Sequence, residues 1–274
     1  MNTTLEPSMI SVFVNGLRLE CLDWGTRGKP PVLLLHGLAV FAHAWDQTSA
    51  ALADDLHVVA LDQRGHGGSD HARCEDYRTA VYGSDIIGAA DALGWRRFSM
   101  VGEAMGGHNA MYVAATHPER IDRLVISDME PVMRLQLIAA MRGAEGLPEY
   151  DSMDDVIAEA TARDPHPSAD AQRARAEHSV RQLASGRLTP KYDLNAARCW
   201  DALDLWPDLS SISCPTLLVR GEESTALRPE VAERMMGAIP DCQYAEITGA
   251  GDTVGLDNPS DFDAAVRSFL MEAR

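Results

Sequence analysis

The 274-residue chain is expected to be an α/β protein built on a mostly parallel sheet. Short apolar runs alternate with amphipathic helical patterns, the mark of βαβ units. The runs after Pro31 are short and flanked by polar turns, as strands buried on both faces should be. A third observation is a change of pattern between Pro131 and Trp206, where Met, Ala, Arg and Glu recur at helical spacing without a strand signal.

The elements follow in order. Ser11–Cys21 and Pro31–His36 read as an opening pair of strands, then Val58–Asp62, Phe98–Gly102, Leu124–Asp128, Thr216–Arg220 and Tyr244–Ile247. Helical patterns fill Arg78–Leu93, Met105–Thr116, Pro229–Ile239 and Ser260–Glu272, each covering a face of the sheet. Arg134–Arg142, Met153–Ala162 and Ala169–Leu183 read as helices of an insertion. The division expected is a core of residues 1–130 and 207–274, with a helical lid over 131–206.

Composition excludes several classes of function. Asp and Glu number 41 against 24 Lys and Arg, and the net charge of −17 repels phosphate backbones and anionic lipid surfaces. The partner expected is therefore a small molecule, with no nucleic acid and no membrane. The longest nearly uncharged stretch, Pro30 to Ala44, is too short for a bilayer and is broken by Gly37, and the N-terminus has no basic region followed by an apolar run. Cys21, Cys74, Cys199, Cys214 and Cys242 are an odd number without a C-x-x-C pair, which reads as reduced structural thiols at a cytoplasmic address. No G-x-G-x-x-G, P-loop or histidine cluster appears, so neither a nucleotide cofactor nor a metal is expected. Nothing in the sequence speaks to oligomeric state.

Three segments carry the motif. Leu33-Leu34-Leu35-His36-Gly37 follows a strand, Asp62-Gln63-Arg64-Gly65-His66-Gly67 follows the next, and Val101-Gly102-Glu103-Ala104-Met105-Gly106-Gly107 lies at a strand-to-helix junction. With Arg187 to Asp193, Cys214 to Gly221 and Gly249-Ala250-Gly251-Asp252-Thr253-Val254, they give a chain that resembles, over almost its whole length, the lidded esterases, lactonases and C–C hydrolases of the α/β-hydrolase superfamily. The resemblance implies that fold: an eight-stranded, mostly parallel sheet with helices on both faces and a helical lid. It also implies a G-x-S-x-G turn that displays a nucleophilic serine.

At the serine's position stands Ala104, whose methyl group can form no acyl-enzyme. The segment that in the family usually reads G-A-G-H-T has Asp252 in place of the histidine, and the last histidine of the chain is His178, in the lid. Where relatives read Ser-Asp this chain reads Ser224-Thr225, while Asp128 holds the position that some relatives use for the acid instead. Departures at several positions point to natural abandonment of serine hydrolysis, the alternative being an engineered triad variant. The backbone oxyanion hole implied by the fold, the N–H groups of Leu38 and Met105, does not depend on those side chains.

The leading reading is a non-hydrolytic enzyme that stabilises an enolate or alkoxide, with Asp252 and Asp128 exchanging a proton in cyclisation, dehydration, isomerisation or C–C cleavage. The bland readings are that Asp252 hydrogen-bonds loop N–H groups and that Asp128 caps the turn after its strand. His36, Gly37, Glu103, Trp45, Met129, Thr225 and Val254 are candidate pocket residues. Glu103, preceding the elbow tip, is expected to point away from substrate. His36 and His108 read as structural, Asp62, Arg64 and His66 as a scaffold turn, and His43 as a rim residue. Two further readings stand beside the first: a catalytically inactive ligand-binding or regulatory protein, and an ester or lactone hydrolase in which Asp252 activates water directly.

Overall fold

The computed structural model describes residues 6–272 and contains an eight-stranded sheet. Its strands are β1 (Ser8–Val14), β2 (Leu17–Asp23), β3 (Pro31–Leu35), β4 (His57–Leu61), β5 (Phe98–Glu103), β6 (Ile121–Ser127), β9 (Thr216–Gly221) and β10 (Cys242–Ile247); β7 (Val180–Gln182) and β8 (Leu188–Pro190) form a separate pair. The order across the sheet is β1-β2-β4-β3-β5-β6-β9-β10. From β4 to β10 all neighbours are parallel, while β1 and β2 are antiparallel additions at one edge.

The two-residue period of a strand sorts side chains to the two faces. In β3, Leu33 and Leu35 pack into one core cluster and Val32 and Leu34 into the other; in β4, Val59 and Leu61 oppose Val58 and Ala60. The helices are α1 (Asp46–Leu52), α2 (Thr79–Ala92), α3 (Met105–Thr116), α4 (Ala139–Gly143), α5 (Met153–Arg163), α6 (Ala169–Ser179), α7 (Leu194–Arg198), α8 (Pro229–Ala238), α9 (Val254–Asp257) and α10 (Pro259–Met271). Residues of α2, α3 and α8 close the first cluster, and residues of α1 and α10 close the second.

Three expectations are corrected. The opening pair is not Ser11–Cys21 with Pro31–His36: β1 and β2 form a hairpin with each other, and β3 lies between β4 and β5. The cause is Asn15-Gly16, both at positive φ (52° and 79°), the dipeptide that favours a two-residue hairpin turn and splits the apolar run in two. The insertion between β6 and β9 carries α4 to α7 but also the antiparallel pair β7–β8. The helix expected over Ala169–Leu183 ends at Ser179, where β-branched Val180 begins β7 and the chain returns through Gly186 at φ 88°. The helix expected over Arg134–Arg142 is a 3₁₀ turn, Leu135–Ile138, followed by the short α4.

The third correction concerns the cysteines. Cys74, before α2, is joined to Cys199, just after α7, so the insertion is tied covalently to the core, while Cys21, Cys214 and Cys242 are free. Pairing depends on two Cα atoms coming within 5.3 Å across 125 residues, which spacing in sequence does not reveal. By the chain-entropy account so large a loop contributes at most about 4–5 kcal/mol. Guanidinium unfolding with and without reductant is expected to show a loss of about 2–4 kcal/mol on reduction; an unchanged midpoint would mean that the bond does not constrain the unfolded chain. No helix among the described residues is long and apolar enough to cross a membrane.

Candidate active site

The carboxyl ends of β3, β5, β6, β9 and β10 all deliver loops to one edge of the sheet, where a parallel α/β architecture places its ligand crevice. The sharpest turn joins β5 to α3. Ala104 sits there at φ 48°, ψ −118°, a conformation that costs an L-residue on the order of 1–2 kcal/mol. The turn closes because its flanking residues are glycines: a Cβ on Gly106 would lie 2.1 Å from the Leu35 carbonyl oxygen, and one on Gly102 would lie 2.5 Å from that of Gly106. The backbone therefore retains a strained elbow, with a methyl group at its tip.

Ala104 borders a cavity of about 260 Å³ between the sheet edge and the insertion. Leu38 and Met105 also line it, and among the described residues neither N–H donates a hydrogen bond to protein. Met105 is the first residue of α3, so its N–H lies at the positive end of that helix. Gly37 and Met129 add backbone and thioether surface.

Asp128 follows β6 directly and is 0 % exposed, at φ 51°. Its Oδ2 accepts a 2.8 Å hydrogen bond from Ser224 Oγ, and its Oδ1 has no partner among the described residues. Burial pushes its pKa well above the ordinary 3.8, with Asp252 and Glu103 adding like-charge repulsion. Glu103, expected to point away from substrate, lines both this cavity and a narrow void beside it. Its carboxyl is pushed up to about 7, mainly by burial, and Arg175 opposes the shift. Two carboxyl groups with raised pKa thus border one cavity beside Ala104.

Asp252 is exposed and serves the loop. It accepts from the backbone N–H of Thr225 (2.7 Å) and Ala226 (3.0 Å) and from the Thr225 hydroxyl (2.9 Å), with Ser224 Oγ at 3.2 Å. Ser224 Oγ already accepts from Ala226 and Leu227 N–H, so its single proton goes to one aspartate, and Asp128 is the nearer. Asp252 also borders the elbow cavity, so the side chain expected to act as base is at the same time the acceptor that shapes the turn after β9. Replacement of Asp252 by Ala is expected to cost about 1–3 kcal/mol through the backbone donors it strands, read as a lower denaturant midpoint; an unchanged midpoint would show that water replaces the carboxylate freely.

Other expected pocket residues are corrected by packing. Thr225 turns its hydroxyl to Asp252 and does not line the cavity. Val254 is fully buried in the second core cluster. Trp45 and His36 border only a narrow void of about 20 Å³ beneath Glu103. The His36 ring is consumed structurally: Nδ1 lies 2.7 Å from the Gly37 carbonyl oxygen and Nε2 accepts from Gln63 N–H, while burial drives its pKa well down. His108 is also satisfied, 2.9 Å from the Leu203 carbonyl oxygen. His43 stacks on His178 of the insertion at 3.8 Å.

Two groups of ligating side chains bridge insertion and core, His43/Asp46/His178 and Asp164/His166/Asp257, each with its ligand atoms within 4.8 Å of one another. Neither group lines the cavity. One cavity-lining residue escaped the sequence reading: Arg175 of α6, which borders the elbow cavity, the narrow void and a larger cavity of about 420 Å³ inside the insertion. On a helix with little amphipathic pattern, nothing in the sequence distinguishes it from Arg173, which is exposed.

Comparison with known proteins agrees with this fold. The chain is 29% identical over 251 residues to 2-(acetamidomethylene)succinate hydrolase of Mesorhizobium japonicum, covering 89% of each chain. It is 27% identical over 268 residues to a putative carbamate hydrolase, RutD, of Caulobacter, covering 96% of this chain and 98% of the other. The crystal structure of E-2-(acetamidomethylene)succinate hydrolase superposes with a TM-score of 0.89 at 26% identity, over 97% of this chain and 100% of that one. Residues 30–259 match the family model described as alpha/beta hydrolase fold, and the chain belongs to that family.

Proposed function

We propose that this member of the family is an enzyme acting on a small carbonyl-containing metabolite by acid–base chemistry, without a covalent intermediate. The supporting observation is the pair of raised carboxyls, Asp128 and Glu103, on a cavity whose elbow tip carries only a methyl group. In this reading the substrate carbonyl oxygen sits against the free N–H groups of Leu38 and Met105. Glu103 removes a proton from the carbon next to that carbonyl, and the electron pair moves onto the oxygen held by the two donors. Asp128, protonated, returns a proton to oxygen or carbon. A base with pKa near the working pH and a preorganised anion cradle together suffice for an activated carbonyl compound. Asp252 acts as a positioning residue, holding the 224–226 turn and through Ser224 the Asp128 carboxyl. Cyclisation, dehydration, isomerisation and C–C cleavage all use these steps. The reading has small molecules as the only partners.

The test is exchange in heavy water. Proton NMR of a panel of small 1,3-dicarbonyl acids should show enzyme-dependent loss of the α-proton signal, rising with pH through about 7 as Glu103 ionises and falling again where Asp128 ionises. Absence of exchange across the panel, with binding intact, would replace the enzyme by a ligand-binding protein.

A hydrolytic reading is favoured by one observation: the named relatives are hydrolases. There Glu103 activates water toward an ester, lactone or amide carbonyl in the same cradle. Labelled water separates the two, because hydrolysis places solvent oxygen in the product.

A further inference from the structure

We infer that Arg175 is the anchor for a carboxylate group of the substrate, so that the ligand of the elbow cavity is a small organic acid whose carbonyl lies at the Ala104 end and whose carboxylate lies against α6. This rests on the reading of the elbow cavity as the reactive site and names its substrate class.

Arg175 is the one side chain that lines all three cavities between the insertion and the sheet edge, among the described residues. Its guanidinium makes no hydrogen bond and has no carboxylate within 4.0 Å among the described residues. Arg134, which also lines the elbow cavity, is engaged: it reaches Glu130 at 3.5 Å and the carbonyl oxygen of Ala226 at 2.8 Å. Burial lowers the pKa of Arg175, the expected response of a cation drawn out of water without a counter-ion. Glu103 is felt only at longer range, and its own carboxyl is protonated in part near neutrality, so it does not neutralise Arg175 permanently.

Arg175 is half-buried, and a partly desolvated guanidinium without a counter-ion is costly; it is retained where a ligand supplies the anion. The planar fork of Arg matches both oxygens of a carboxylate, which gives orientation as well as attraction. Orientation is what this cavity otherwise lacks, because much of its wall is Met and Leu: Met105, Met129, Met133, Met141 and Leu137. With the carboxylate fixed on α6 and the carbonyl oxygen on the Leu38 and Met105 donors, the carbon between them is presented to Glu103. The overall charge of −17 repels anions at long range, so a cationic anchor inside the site also explains how an acidic chain retains an acidic ligand.

The experiment is calorimetric titration with succinate as carboxylate probe and succinamide as its uncharged counterpart, at fixed ionic strength. Succinate should bind wild type more tightly than succinamide does. In Arg175→Gln its Kd should rise at least about 10-fold while that of succinamide changes less than about 2-fold, and Arg175→Lys should fall between, since an ammonium keeps the charge but loses the fork. Failure of wild type to bind succinate below 10 mM, roughly the weak limit for such a probe, would overturn the proposal. So would an equal loss for both ligands, or an unchanged succinate Kd in Arg175→Gln. Glu103→Gln distinguishes this from failure of the acid–base reading: it should abolish exchange while leaving succinate binding the same or tighter.

Discussion

Asp128→Asn is expected to lower turnover by about 10²- to 10⁴-fold, the range lost with a placed acid or base, while the folded chain becomes no less stable. The two effects share one cause. The carboxyl is 0 % exposed, one oxygen lacks a partner, and burial raises its pKa well above 3.8. An amide has the same shape, still accepts from Ser224 Oγ, and tolerates φ 51° at least as well as aspartate. It carries no titratable proton. A carboxyl whose folded pKa is raised favours the folded state most below its unfolded pKa, and that contribution is lost as pH rises toward the folded value. Wild type should therefore lose stability on passing from pH 4 toward neutrality and above, roughly the interval above an unfolded aspartate pKa, and Asp128→Asn should flatten that slope. Activity within about 3-fold of wild type would remove Asp128 from the chemistry, a change too small for a lost acid–base group.

Glu103→Gln should behave in parallel, with a defined window. Its carboxyl moves from 4.5 to about 7, so the associated stability is fully present below 4.5 and gone above 7. The shift corresponds to something on the order of 3 kcal/mol, an upper figure because the side chain keeps some contact with the cavity. Urea unfolding at pH 4.5 and pH 8 should show wild type losing part of that amount and Glu103→Gln losing less.

The ends of the parallel strands were legible in the sequence, because short apolar runs followed by glycine-rich turns leave little freedom in where a chain leaves a buried sheet; the interest of Ala104, Asp128, Leu38 and Met105 at those ends came from the family resemblance. The antiparallel edge was misread, although Asn15-Gly16 marks its turn plainly once the run is treated as two strands. What could not be read were directions and distant pairings. Arg173 and Arg175 belong to one helix, and only the docking of α6 onto the elbow turns the second inward. Asp252 was placed on the correct loop, but its use depends on Thr225 and Ala226 N–H groups that arrive from another strand. Glu103 was expected to point away from substrate, and it lines both the elbow cavity and the narrow void next to it. Cys74 and Cys199 meet only because α7 packs against the segment before α2.

The double substitution Ala104→Ser with Asp252→His should create ester hydrolysis that neither parent nor single variants possess, about 10²-fold or more above wild type on a phenyl ester. Three features already present make this the expected result. The elbow backbone at residue 104 has the strained geometry that lifts a side chain into the cavity, so a hydroxyl there needs no backbone change. The Leu38 and Met105 N–H groups are unused by protein, ready to hold the oxyanion. Asp128 lies within one serine hydroxyl of residue 252, Ser224 Oγ standing 2.8 Å from the first and 3.2 Å from the second, and its Oδ1 is unpartnered and can accept from the new imidazole. The Thr225 and Ala226 N–H groups lose their acceptor, which should cost about 1–3 kcal/mol and is well below the stability of an ordinary domain. Intact-mass measurement should then reveal an acyl adduct on the double variant during turnover. A stably folded double variant with no adduct and no added rate would mean that the cradle or the acid is misplaced for acyl transfer, and with it the carbonyl position on which the proposed proton exchange depends.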